Sequence, residues 1–200
     1  MCLVTQSDIK NSWKFWSLVE AAESFGVQVR VESSPAPQGT SRHLGTLEDD
    51  TVVIFGGDFM ACWFTLGHLV GHLMQRTRPT PEMFQAIEVV NPYRAPGPMT
   101  DMEESLLLSH EREAAEIGLS LILRTLNSGV TGEDLEYYSK MFWADYHYLR
   151  NFIITGEGGS DVFDRFFEGE KGFENLSPND GLVDLRVYPP SPLARKIVVV

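Results

Sequence analysis

Residues 59–75 read FMACWFTLGHLVGHLMQ, a run apolar on most sides, as expected of a helix buried in a core. Gly56-Gly57 breaks the strand-like run before it, and Asp58 is placed to cap the helix. His68 and His72 stand four residues apart in this segment, so both imidazoles leave one face of the helix and can reach one zinc ion. A buried pair satisfied by hydrogen bonds alone is the competing reading. The rest of the chain must be arranged around this element.

Upstream, Ile9, Trp13, Trp16, Val19 and Ala22 recur at helical spacing over residues 9–25, and Gly26 ends the pattern. Val27, Val29 and Val31 then alternate as in a half-buried strand, and a Pro/Gly/Ser-rich loop covers 33–41. Residues 42–47 suit a second strand, and Glu48-Asp49-Asp50 a hairpin turn into the strand Thr51–Phe55. Downstream, the prolines between 79 and 98 mark a long connection holding a short helix over 81–88. Thr100 and Thr131 open two long helices with capping signals, the second reaching about residue 154. The four tryptophans, Trp13, Trp16, Trp63 and Trp143, are expected in the core. The pattern predicts a mostly helical α+β domain over 1–155 with a small antiparallel sheet, followed by an acidic, Pro-containing C-terminal extension over 156–200. The phenylalanines at 163, 166, 167 and 173 suggest that this extension docks on the domain.

Charge narrows the function classes. Sixteen Lys and Arg oppose 28 Asp and Glu, and a net charge of −12 repels nucleic-acid phosphates, so direct nucleic-acid binding is not expected. No long uncharged apolar run spans a membrane and the N-terminus lacks a secretory pattern, so a soluble cytoplasmic protein is expected. Cys2 and Cys62 form no disulfide framework and no cysteine zinc site, and both are expected as reduced thiols.

A catalytic zinc centre needs a third protein ligand and an open position for water. Glu113, on the helix opened by Thr100, is the leading third ligand, with His110 on the same helical face as a further or replacement donor. His68-Leu69-Val70-Gly71-His72 keeps both histidines of an HExxH motif and has leucine where the motif has its glutamate.

Phe64-Thr65-Leu66-Gly67-His68-Leu69-Val70-Gly71-His72 and the later Glu111-Arg112-Glu113-Ala114 resemble the two helices of the ImmA/IrrE-type metallopeptidases, whose patterns are Phe-Thr-Leu-Ala-His-Glu-Leu-Gly-His and Glu-x-Glu-Ala. The order of elements before the site matches as well, and the likeness covers roughly residues 9 to 127. It implies a zincin-like domain with His68, His72 and Glu113 as zinc ligands and Leu69 at the general-base position. A general base contributes on the order of 10²- to 10⁴-fold in rate, so hydrolysis without one is severely impaired. The family's typical partners are helix-turn-helix transcriptional regulators, and its substrates are thought to lie along a sheet edge, which would place a partner strand against Thr51, Val53 and Phe55.

Three readings follow. The first is a pseudoenzyme acting as a regulatory module that binds a protein or peptide. The second is a working zinc hydrolase that cleaves a regulator with an unconventional base; of the nearby acids, Glu111 and Glu116 have no spacing that mimics the lost glutamate. The third is a self-contained regulator whose apolar end, 197–200, lies in the old cleft as an internal pseudo-substrate strand.

Overall fold

A computed structural model describes residues 13–32, 45–55, 59–91, 93–169, 176 and 185. Its elements run α1 (Trp13–Ser24), β1 (Gln28–Glu32), β2 (Gly45–Glu48), β3 (Thr51–Phe55), α2 (Phe59–Arg76), α3 (Pro81–Val89), α4 (Asp101–Leu126), a 3-10 turn (Asn127–Gly129), α5 (Gly132–Thr155) and α6 (Ser160–Gly169). The domain is mostly helical α+β, with one three-stranded sheet of order β1-β3-β2.

The helix signals act where the sequence places them. Thr100 and Thr131 each accept from the backbone N–H three residues on, and Glu103 and Asp134 return the bond, closing two capping boxes. Thr80 caps α3 ahead of Pro81 in the same way, by accepting from the Met83 N–H. Gly156, at φ 75°, ends α5 in the left-handed conformation. Among the described residues, no helix is long and apolar enough to cross a membrane.

The sheet differs from a simple antiparallel one. β2 and β3 form the predicted hairpin, with Glu48 opposite Thr51 across the turn Asp49-Asp50 and Asp49 at φ 53°. β1, however, pairs with β3 in parallel, Gln28 opposite Thr51 and Glu32 opposite Phe55. β3 is therefore the central strand, buried along Val52, Val53, Ile54 and Phe55, and its backbone is engaged on both sides. A partner strand has no free edge at Thr51, Val53 or Phe55; in the described sheet the outer strands are β1 and β2.

α2 is the hub of the core. Cys62, Trp63, Leu66, Leu69 and Val70 are buried, and α4 crosses the helix along Gly67 and Gly71. A Cβ on Gly71 would land on the Ala114 carbonyl, and a Cβ on Gly118 on the Gly67 carbonyl, so the two backbones touch. Tyr138 of α5 braces this crossing by donating its hydroxyl to the Ala115 carbonyl at 2.9 Å. Trp63 is buried, while Trp16 and Trp143 pack partly buried against the core. Trp13 departs from the core expectation: it is 62% exposed at the first turn of α1, with its ring edge beside Gly129.

The described part of the extension docks on α5. His147 stacks between Trp143 and Phe166, Tyr137 meets Phe167 edge-on, and the Leu176 N–H donates to the buried Ser139 hydroxyl. Cys62 is a buried thiol outside any disulfide, and it donates to the Phe55 carbonyl at 3.7 Å, whereas Cys2 and 197–200 lie outside the described residues.

The contact between α2 and α4 yields a direct prediction. Gly71→Ala inserts a methyl group into backbone, not into a yielding side chain, and overpacking of this kind costs ~1–3 kcal/mol or more. The urea midpoint should fall accordingly, and Gly132→Ala, where nothing lies near the added methyl, should leave it unchanged or raised.

Candidate metal centre

His68 and His72 project from α2 toward α4, where a single carboxylate meets them. That carboxylate belongs to Glu111. His68 Nε2 lies 3.1 Å and His72 Nε2 3.3 Å from Glu111 Oε2, and the two Nε2 atoms are 3.2 Å apart. All three residues are buried, Glu111 to 2% exposure. A zinc ion bound at 2.0–2.1 Å in tetrahedral geometry separates its ligand atoms by about 3.3 Å, so this triangle has the size of a zinc site. The donor set is consistent with zinc coordination.

Glu113, the third ligand expected from sequence, is exposed and outside the triangle. The reason is helical phase: two residues turn the side chain by roughly 200°, which carries position 113 to the far side from position 111. Glu111 shares its face with the buried Leu107, Ala114, Ala115 and Gly118, the stripe that packs on α2. That apolar stripe, with one acid inside it, is the signal in the sequence that identifies Glu111.

Glu113 supports the site from outside. Gln75, one turn beyond His72, donates its amide nitrogen to Glu113 Oε2 at 2.8 Å and to the His110 carbonyl at 2.9 Å. These two acceptors fix the orientation of the amide, so its oxygen, 3.0 Å from His72 Nδ1, accepts a hydrogen bond from the N–H of that ring. His72 then carries its hydrogen on Nδ1 and presents a lone pair at Nε2, the arrangement of a metal-ligating histidine. The His110 ring lies 5.0 Å from that of His72 and outside the mutual donor set. Burial and the neighbouring His72 push its pKa down to about 4, so it is neutral at physiological pH.

Asp145 of α5 was not anticipated. Its Oδ2 lies 3.4 Å from His68 Nε2 with the side chain 14% exposed. It sits two turns beyond Tyr138 on the inward side of α5, a lone acid among the aromatics at 138, 142 and 146, and no motif marks it.

The balance of hydrogens and acceptors around His68 Nε2 suits a cation. With His72 Nε2 unprotonated, that atom, Glu111 Oε2 and Asp145 Oδ2 all converge within 3.4 Å of His68 Nε2, which has one hydrogen to give. His68 Nδ1, also buried, has no hydrogen-bond partner. Several acceptors crowding one N–H is an arrangement that a divalent cation at their centre satisfies and a single proton does not. Burial disfavours charge on His68, yet the Asp145 and Glu111 carboxylates outweigh it and hold the ring's pKa above the ordinary value of 6.5. Burial likewise resists ionisation of Glu111, but the His72 and His68 rings that face it hold it well below 4.5.

Leu69 occupies the position that the sequence likeness gives to a general base. It is 1% exposed and packs beneath β2, its Cδ1 3.1 Å from where a Gly45 side chain would begin. A cleft of about 180 Å³ opens on the other two donors, with Leu47 of β2 on one side, Met83 and Ile87 of α3 on another, and His72, His110 and Glu111 among its lining. No family model, curated protein or solved structure matches the chain.

Two outcomes check this geometry. Glu111→Gln should lower zinc affinity by well over 100-fold, while Glu113→Gln, which alters only an outer partner, should cost less, within the ~10- to 100-fold of outer-shell changes; equal losses would return Glu113 to the donor set. In chelator, His68 contributes stability that is complete below pH 6.5 and lost as pH rises through its raised pKa. Glu111 contributes stability that is complete above pH 4.5 and lost as pH falls through its lowered one. The melting-point gap between the metal-free protein and its Glu111→Gln variant should therefore be widest between pH 4.5 and 6.5.

Proposed function

We propose that the chain is a degenerate metallopeptidase-like protein of ImmA/IrrE type that binds zinc through His68, His72 and Glu111 and acts as a regulatory, protein-binding module in the cytoplasm. The observation that carries the reading is the pairing of an intact donor triangle with Leu69: the ligands are in place, and the residue following the first of them is a buried hydrocarbon with no proton to exchange. What zinc supplies when bound in such a triangle is Lewis acidity and a fixed charge. What this chain's own residues supply is the cradle: Gln75 orients His72, Glu111 balances charge, and Leu69 seals the sheet side.

The partner is a peptide or protein segment, with a transcriptional regulator as the specific expectation. β2 lies at the edge of the described sheet, and its Leu47 forms one wall of the cleft over His72 and Glu111. An extended segment adding to that strand would cover the cleft through main-chain hydrogen bonds, which requires no catalysis.

The alternative, a working zinc hydrolase with an unconventional base, draws on Asp145, a carboxylate beside His68 that could stand in for the missing glutamate. Metal analysis of protein purified without chelator, together with a peptide-cleavage assay, separates the two. The expected result is one zinc per chain and no cleavage above background. Cleavage that disappears in His68→Ala would establish the hydrolase instead, and a chain that cannot be loaded with zinc would remove both.

A further inference from the structure

We infer that Asp145 is a fourth protein donor of the metal centre, which makes it a closed cross-link of α2, α4 and α5 and not an open hydrolytic site. This rests on the zinc-binding reading above. Asp145 Oδ2 is 3.4 Å from His68 Nε2, just beyond the 3.1, 3.2 and 3.3 Å edges of the donor triangle and close to the ~3.3 Å edge of a zinc tetrahedron; it stands outside the mutual set of His68, His72 and Glu111 but faces the same nitrogen, so it joins the centre by a turn of its side chain.

Two features of the site take the residue from neighbour to donor. The first is the fate of its present partner. In the metal-free chain Asp145 is held by the His68 Nε2 hydrogen, and a cation bound at that nitrogen replaces the hydrogen with a centre of positive charge on the same side of the ring. A carboxylate with 14% exposure then regains a partner by turning onto the cation, a movement about two side-chain bonds. The second is charge. Two neutral histidines and one glutamate leave a divalent ion with a net positive charge in a site whose His68, His72 and Glu111 are all buried, and a second carboxylate cancels it.

The position of Asp145 also separates it from the cleft. The residues lining that opening include His72 and Glu111 but neither His68 nor Asp145. The aspartate thus approaches from the helical interior, on α5, and belongs to the scaffold side of the centre. Four protein ligands with no position left for water define a structural zinc site. Such a site accounts for Leu69: where no water is activated, a general base has no task, and a buried leucine packs better than a glutamate under β2.

Cobalt(II) reports coordination directly. The full-length protein, stripped and reloaded with cobalt, should show the intense visible bands of a tetrahedral ion and should not change when azide is added. Asp145→Ala should bind zinc more weakly than wild type by more than the ~10- to 100-fold typical of outer-sphere substitutions, and its cobalt spectrum should shift on adding azide. Asp145→Cys, which keeps a donor at the position, should add a thiolate-to-cobalt charge-transfer band that appears only if residue 145 touches the ion. Far-ultraviolet circular dichroism of each metal-free variant verifies folding independently. Azide shifting the wild-type spectrum, with affinity unaltered in Asp145→Ala and no new band in Asp145→Cys, overturns the fourth-donor role and leaves the zinc-binding reading intact. Failure of the wild-type protein to take up cobalt or zinc overturns both.

Discussion

The backbone contact between α2 and α4 is what the rest of the molecule depends on. Gly67 and Gly71 lie against Gly118 and Ala114 so closely that a single carbon added to Gly71 or to Gly118 falls on the facing backbone. That approach brings His68 and His72, the residues following Gly67 and Gly71, to within 3.3 Å of a carboxylate on the opposite helix. Larger residues at the crossing would hold the helices at the ordinary spacing of 8–10 Å or beyond, and the three donors would no longer fit around one ion. Packing and chemistry are therefore not separable here: the small residues that let the core close also assemble the site.

Burying two imidazoles and a carboxylate is costly unless the groups satisfy one another. The chain meets this in layers. Glu111 faces both rings, Gln75 is locked by two acceptors and in turn locks His72, and Asp145 reaches His68 from a third helix. What is left over is informative: an unpartnered Nδ1 on His68 and more acceptors than hydrogens around its Nε2. A core selected only for stability would fill such a place with hydrocarbon, as it has at Leu69.

Much of this architecture was legible in the sequence because it rests on local rules. The capping boxes at Thr100 and Thr131, the hairpin turn at Asp49-Asp50 and the buried helix of residues 59–75 each announce themselves within a few residues. The histidine pair was legible for the same reason. The third donor was not, because a likeness in the Glu-x-Glu-Ala segment points to Glu113 while helical phase selects Glu111, and phase is fixed by which stripe packs on α2. Asp145 depends on how α5 crosses α2, a tertiary relation no spacing encodes, and the parallel pairing of β1 with β3 left the expected binding edge in the middle of the sheet.

The placement of Glu111 on the same helix as Gly118 also sets what insertions and deletions descendants of this chain can survive. The linkers around α3, residues 77–80 and 90–100, connect the two site-bearing helices without holding a donor, so changes of length there need only be absorbed by a surface path. Between Glu111 and Gly118 there is no such slack. One residue gained or lost in those two turns rotates the carboxylate by about 100° relative to the glycine seat, trading a buried acid for an exposed one. Lineages that retain the site are thus expected to vary in their loops while keeping the count from the acid to the glycine fixed, and that count is a sharper marker of kinship than the identity of the residues between.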